Sequence, residues 1–482
     1  MTDMELIFEK SRPGRSGYDI PSCDVPERPL EELIDLEFLR DELNLPELSE
    51  LEVVRHYTAL SRRNFGVDTG FYPLGSCTMK YNPKINEELV KHPEWEMLHP
   101  YNPPQWSQGS LRVMYELRLF LCEIFGMADF SLQPAAGAHG ELTGMMICKK
   151  YFGRKGERRK RVLVPDTAHG TNPASSALCG FEVATVKSDT DGNISLDHLR
   201  QMMTEEVAAL LLTNPNTLGL FERNIEEIAD IVHVKGGILY GDGANANAFL
   251  GWCRPGDLGF DIIQVNLHKT FSTPHGAGGP GSGPVGVAPH LVDFLPVPRV
   301  VREGDTYALK DDYPHTIGRV RSFYGNFSVL LRAYAYIRSL GAEGLKKVAA
   351  AAVINANYLR ARLKPFFDLP YDRFCMHECV FTGRRQLKAS GVRTAHMAKR
   401  LIDYGFHPPT VYFPLIVPEA IMIEPTETES REVLDRFCEA MISIAREAEE
   451  EPEKVKNAPW TTPVKHLDEV LAAREPDVGW QA

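Results

Sequence analysis

The chain reads as an α/β protein, with a mostly parallel sheet in a large domain and a smaller α/β domain at the C-terminus. Two observations carry this. Between about residues 105 and 287, short apolar runs alternate with stretches of helical periodicity, the pattern of a parallel sheet covered on both faces. Beyond about residue 325, a long helical region gives way to strand-like pieces and further helices. The 482 residues are enough for two or three domains with a large buried core.

The elements follow in order. Residues 1–100 resemble an extended arm, with Pro13, Pro21, Pro26 and Pro29, an acidic helical stretch over Leu30–Leu43 and a second helix over Glu50–Ser61. Such an arm suits packing on another subunit better than a core of its own. Residues 101–325 form the large domain. Helices are expected over Ser107–Phe125 and His139–Tyr151. Strands are expected at Arg161–Val164, Glu182–Val186, Ala208–Leu212, Gly237–Tyr240, Ile262–Val265 and Val285–Val287, with helices at Leu196–Met203 and Asn224–Val234 between them. Residues 326–482 form the small domain. A long helix covers Gly325–Phe366, and strands follow at Asp372–Phe381 and Val411–Val417. Helices close the domain at Arg393–Tyr404 and Thr428–Glu449, the last entered by a capping box from Thr426 to Glu429.

Composition narrows the function. A net charge of −12 argues against bulk attraction to nucleic acid or an anionic membrane. One basic run, from Lys149 to Arg161, departs from that trend; it suits a solvated helix end and loop, or a docking patch for an acidic partner. Nine cysteines without CxxC spacing argue for reduced thiols, against a disulfide framework and against a zinc site. The start MTDMELIFEK lacks the basic and apolar regions of a signal peptide, and no apolar run approaches the ~20 residues of a membrane span. The expected location is the cytoplasm.

The chemistry concentrates at the ends of the expected strands. The run ending at Leu267 delivers His268 and Lys269 into the glycine-dense loop of residues 276–283. A lysine so placed suits imine formation with an aldehyde cofactor, pyridoxal 5'-phosphate (PLP). Asp242, 27 residues earlier, also ends a strand. Alone it fits a turn or helix cap; beside Lys269 it fits a carboxylate that keeps a pyridine nitrogen protonated. His169, again just past a strand, is either a turn residue or a flat ring stacked on the cofactor. The small residues Ala135–Ala138 open a helix whose N-terminus suits a phosphate. GAGGPG at 276–281 matches the dinucleotide pattern in letters only, since it runs into a strand and not a helix. Cys77, in the irregular segment Tyr72–Pro83, has no evident base, which favours a structural or substrate-lining role over a nucleophile.

Several long motifs carry a resemblance. YPLGSCTMKYNP (72–83), QPAAGAHGELTG (133–144), DTAHGTNPAS (166–175), GDGANANA (241–248), NLHKTFSTPHGAGGPG (266–281) and PTVYFPLIVPEAIMIEPTE (409–427) resemble the glycine cleavage system P-protein family, glycine decarboxylase, over nearly the whole chain. The length resembles subunit 2 of its two-subunit form. One departure is Ala277, where the family has a further glycine; alanine fits such a position unless φ is positive.

The resemblance implies a PLP-dependent transferase of fold type I, aspartate-aminotransferase-like. It implies PLP on Lys269, Asp242 at the pyridine nitrogen and His169 on the ring. Ala136, Gly137, Ala138 and His268 become phosphate-side candidates, and Ala244 a further cofactor contact. Tyr72, Ser76, Cys77, Thr78 and His99 become substrate-side candidates, with His377 and Arg393 as possible contacts for a substrate carboxylate. The implied reaction is decarboxylation of glycine with transfer of the aminomethyl group to the lipoyl arm of an H-protein. The implied assembly is an α2β2 tetramer with a homologous, lysine-free subunit 1. The alternatives are another fold-type I decarboxylase or desulfurase with no lipoyl partner, and a noncatalytic scaffold subunit.

Overall fold

Seven strands build the central sheet: β1 (Asp129–Ser131), β2 (Arg161–Pro165), β3 (Glu182–Val186), β4 (Val207–Thr213), β5 (Ile238–Gly243), β6 (Ile262–Val265) and β7 (Val285–Val287). Their order is β1-β7-β6-β5-β4-β2-β3. β2 to β6 run parallel, and β7 lies antiparallel to both β6 and β1. The six strands expected from the sequence are all present. β1 has only three residues, too few to show a period.

Alternation along the strands sorts their side chains to two faces. Val162, Val164, Ala209, Leu211 and Tyr240 pack with Met145, Ile147 and Phe152 of the helix Gly137–Arg154. Leu163, Leu210, Leu212 and Leu239 pack instead with Leu199, Ile225, Ile228 and Val232 of the helices Leu196–Met202 and Ile225–Val234. Each fully buried leucine contributes roughly 1.5–3 kcal/mol, so both faces are anchored and the strand ends are held rigidly.

The structure, a computed structural model, describes residues 5–479. The chain divides into two compact units, Met1–Thr69 and Gly70–Ala482. In the first, Ser49 and Glu52 form a capping box at the start of the helix Glu50–Ser61. The helix expected over Leu30–Leu43 is not formed; only short 3-10 turns occur, at Leu30–Glu32 and Leu36–Phe38. Leu30, Leu33, Leu36 and Leu43 all remain exposed. A short amphipathic helix draws most of its stability from a surface that buries its apolar face, and these side chains have none.

In the second unit, a hairpin that the sequence reading missed, β8 (Arg299–Glu303) and β9 (Thr306–Lys310), follows the large sheet. The helix Phe327–Leu363 then breaks at Gly341, whose φ is +62°. Its first half packs through Leu330, Ala333 and Ile337 into a core shared with β6 of the large sheet, its second through Ala356, Leu359 and Leu363 into a separate core that holds residues of the small sheet described next. One element thus serves both cores.

The small sheet comprises β10 (Cys379–Thr382), β11 (Thr410–Val411) and β12 (Ala420–Ile423), ordered β10-β12-β11 and antiparallel throughout. The sequence expectation of strands over Asp372–Phe381 and Val411–Val417 is corrected here, because both pieces are mostly turns and the central strand is β12. The last long helix is Arg431–Glu450, capped by Ser430 and not from Thr426, which has a φ of +60°. No helix among the described residues is long and apolar enough to cross a membrane.

Candidate active site

A cavity of about 440 Å³ opens at the C-terminal ends of the parallel strands, lined by Ser76, Gly137, Glu141, His169, Asp242 and Lys269 among others. Open parallel sheets bind ligands at this edge, where loops from neighbouring strands diverge.

Asp242 is the most constrained group in it. It belongs to β5 and is almost fully buried. Its Oδ1 accepts from the Ala244 N–H at 3.0 Å and from the Gln264 amide. Its Oδ2 accepts from Thr213 Oγ1 at 3.2 Å and Asn172 Nδ2 at 3.3 Å. The donors come from the ends of three neighbouring strands and one helix, so the fold itself supplies them. Oδ2 has the two longer bonds and the most to gain from a further donor.

Lys269 lies on a single helical turn, Leu267–Thr270, directly after β6. Its Nζ donates to the Ser76 carbonyl at 2.9 Å. The turn is braced from below by Lys80, whose buried Nζ donates to the Thr270 carbonyl at 2.9 Å, Asn247 Oδ1 at 2.8 Å and Glu427 Oε1 at 2.7 Å. Breaking such a buried pair typically costs about 3–5 kcal/mol.

His169 stands at the solvent-facing rim. Its Nδ1 lies 2.9 Å from Thr171 Oγ1, which donates to Glu141 Oε1 at 2.8 Å. Partial desolvation lowers the pKa of His169, and the neighbouring Asp242 opposes this. Glu141 is a group that the sequence reading quoted inside a motif without giving it a role. Burial and the nearby Asp242 push its carboxyl up to about 8. Its Oε2 is buried and has no hydrogen-bond partner.

The residues present fit PLP. Asn245 Oδ1 and Asn266 Oδ1, like Glu141 Oε2, are buried on cavity-lining residues and lack partners, as polar atoms awaiting a polar ligand would be. The 18-residue helix Gly137–Arg154 points its first turn into the cavity with no side-chain cap at Ala136. Its unpaired N–H groups suit a phosphate. A Cβ at Gly137 would lie 2.4 Å from Asn266 Nδ2, so any larger residue would displace the Asn266 amide from the cavity edge.

Among the other expected residues, Ala138 and Ala244 line the cavity, while Ala136 sits one step behind it as the helix cap. His268 lies outside the lining; its Nδ1 accepts from the Ser282 N–H at 3.3 Å and its ring packs edge-on against His275. Burial pushes its pKa down to about 3, so it is a neutral ring. Ser76 reaches the cavity, whereas Thr78 is tied behind it to Glu424. Cys77 is partly buried, and burial raises its thiol to about 11, consistent with an unreactive side chain. Tyr72 stacks on His407 at 3.8 Å. His99 lines a separate apolar pocket with Trp95, Phe323 and Phe327. Arg393 is exposed at the start of the helix Thr394–Asp403. His377, by contrast, is fully buried and close enough to feel the charge of Lys269.

The family model described as "Glycine cleavage system P-protein" matches residues 31–306, and "Glycine dehydrogenase, C-terminal domain" matches residues 348–466. The chain belongs to the glycine cleavage system P-protein family. A relative from Halalkalibacterium halodurans, named probable glycine dehydrogenase (decarboxylating) subunit 2, is 60% identical over 476 residues, covering 98% of this chain and 97% of the relative. A protein of the same name from Caldanaerobacter subterraneus is 60% identical over 477 residues, covering 98% of each. Among solved structures, an inhibitor-bound glycine decarboxylase (P-protein) superposes with a TM-score of 0.73 at 22% identity, covering 86% of this chain and 94% of that one. A sphingosine-1-phosphate lyase from Burkholderia pseudomallei superposes with a TM-score of 0.60 at 15% identity, covering 92% and 95%. The fold is that of the fold-type I, PLP-dependent enzymes. In this chain the departure at Ala277 matters more than the sequence suggested, because its φ is +59°. The glycine there answers a left-handed backbone, and alanine occupies it under strain of about 1–2 kcal/mol.

Proposed function

We propose that this chain is a glycine decarboxylase subunit: it holds PLP on Lys269, removes CO2 from glycine and passes the aminomethyl group to the lipoyl arm of an H-protein. The observation that carries the reading is the pairing of Lys269 and buried Asp242 across one cavity, in a chain of the P-protein family. When bound, the cofactor supplies an electron sink for the carbanion left by CO2. The chain supplies the rest. Asp242, locked by four donors, presents Oδ2 to a protonated ring nitrogen. The first turn of the helix Gly137–Arg154 receives the phosphate, and His169 covers the ring at the rim. Glu141, protonated at neutral pH, directs a hydroxyl at Oε2 into the cavity. Ser76 aims the Lys269 amine through its carbonyl. His377, buried near enough to Lys269 to feel its charge and with both ring nitrogens unpartnered, is the candidate for the substrate carboxylate.

The assembly follows from the same reading. The relatives are named as subunit 2, and the N-terminal unit exposes Tyr18, Ile20, Val25, Leu33 and Phe38. Such a surface suits burial against a homologous, lysine-free subunit in an α2β2 enzyme of the cytoplasm.

The test uses the full-length chain. Addition of PLP should produce long-wavelength absorbance that Lys269→Ala abolishes, and glycine–bicarbonate exchange should require both the second subunit and a lipoylated carrier. A retained absorbance band in the variant refutes Lys269 as the attachment point. Exchange without any lipoyl protein would assign the chain to a decarboxylase that releases its product to water.

A further inference from the structure

Ser76, which lines the cavity, belongs to a strap, residues 74–78, whose ties run to the small sheet and the residues beside it. Leu74 forms an antiparallel bridge with Ile423, the Glu424 N–H donates to the Pro73 carbonyl at 3.2 Å, and Thr410 Oγ1 donates to the Gly75 carbonyl at 2.8 Å. Two carboxylates complete the attachment. Glu378 Oε2 accepts from the Ser76 N–H at 2.7 Å. Glu424 accepts from the Thr78 N–H at 2.8 Å and from its hydroxyl at 2.6 Å. The pairing of Cys379 with Ile423 in β10 and β12 puts Glu378 and Glu424 at the same end of the small sheet, and both are fully buried.

The strap is not a relaxed conformation. Ser76 and Thr78 have φ values of +63° and +47°. Such conformations cost roughly 1–3 kcal/mol each for residues with a Cβ and persist only where surrounding contacts over-determine them. Here the over-determination comes from the two carboxylates. Its product is the Ser76 carbonyl facing Lys269 Nζ at 2.9 Å.

We propose that Glu378 and Glu424 are positioning residues for Lys269: they hold the strap so that the Ser76 carbonyl aims the amine, coupling the reactive lysine to the small domain. The proposal rests on reading Lys269 as the cofactor lysine. Glu378 Oε1 meets no donor and stands 3.7 Å from His377 Nε2, which is itself unpartnered. Burial and the adjacent Glu424 push Glu378 well above the ordinary carboxylate range. The tie itself needs only an acceptor oxygen facing the Ser76 N–H. Glutamine keeps the shape and one such oxygen and therefore preserves the tie at 378, and alanine removes it.

The experiment follows PLP capture by the cofactor-stripped, full-length chain, read as growth of the long-wavelength band across a range of pH. Glu378→Ala and Glu424→Ala should slow capture at least about tenfold and shift its pH profile, because the amine loses its fixed orientation. Glu378→Gln should capture within about twofold of the unaltered chain, since the acceptor is retained. Capture by Glu378→Ala at the unaltered rate, or by Glu378→Gln as slowly as by Glu378→Ala, overturns the proposal. If the alanine variants do not fold, Thr78→Val takes their place: it deletes one tie to Glu424 and should slow capture about threefold, and an unchanged rate overturns the proposal equally. An unaltered chain that forms no lysine-bound cofactor refutes the reading of Lys269 itself.

Discussion

Two buried regions near Lys269 are built on opposite terms. At the edge of the large sheet, Asp242 is met by four donors taken from strand ends and a helix. Beside the three-stranded sheet, His377 is fully buried with neither ring nitrogen paired, and Glu378 leaves one oxygen unmet. A buried polar group without a partner costs about 1–3 kcal/mol. The Asp242 carboxylate is thus satisfied by the chain alone, whereas His377 and Glu378 carry polar atoms that meet no partner in the chain. The difference separates a group fixed by the fold from a pair left with unmet polar atoms.

The largest expected effect tests the satisfied carboxylate. Asp242→Asn keeps the volume but turns an amide N–H₂ toward donors that have no acceptor left. Cofactor capture should persist, while glycine decarboxylation should fall by at least about 100-fold, since the charge opposite the ring nitrogen is gone. Steady-state turnover with measured cofactor content checks this. Near-normal turnover would remove Asp242 from the chemistry and leave it a structural group.

The same contrast explains what was legible in the sequence. Lys269, Asp242 and His169 could be found because each follows an apolar strand, and strand ends in a parallel sheet converge. The large sheet was legible because β4 and β5 are buried on both faces and read as unbroken apolar runs. The ties of the strap were not. Ser76, Glu378 and Glu424 are brought together by bonds spanning about 300 residues or more of sequence, and no local period marks any of them. Glu141 had a signal that went unused, standing four residues after Gly137 and so on the same helix face. β12 was missed because its run continues out of PTVYFPLIV, where Pro414 and Pro418 obscure the start.

Glu141 gives the next effect, and it separates the two carboxyl groups that line the cavity. The folded chain holds the Glu141 proton to about pH 8, against 4.5 for a free glutamate. A group whose pKa is raised by folding contributes stability that is fully present below the unfolded value and is lost as pH rises through the folded one. In the cofactor-stripped chain, Glu141→Gln should therefore gain on the unaltered protein between pH 4.5 and 8, by an amount on the order of a few kcal/mol. Chemical denaturation at pH 5, 6.5 and 8 measures it. Parallel stability curves would mean that Glu141 is charged in the fold, and the cavity would then hold two anions.

The smallest expected change in stability belongs to His377, and it tests the unmet side of the comparison. Burial, reinforced by the charge of Lys269, pushes its pKa down to about 3, so the ring is neutral and its desolvation is uncompensated. Leucine has nearly the same volume and no polar atom to bury. Replacing an unpaired polar group by an apolar one of similar shape is nearly neutral or stabilising, so His377→Leu should leave the thermal midpoint within a few degrees or raise it. Turnover should respond differently, with a higher KM for glycine if the ring receives the substrate carboxylate. The two readouts must diverge for the comparison to stand. A destabilisation of about 3 kcal/mol or more would place His377 among satisfied core groups, and its surroundings would then be as complete as those of Asp242.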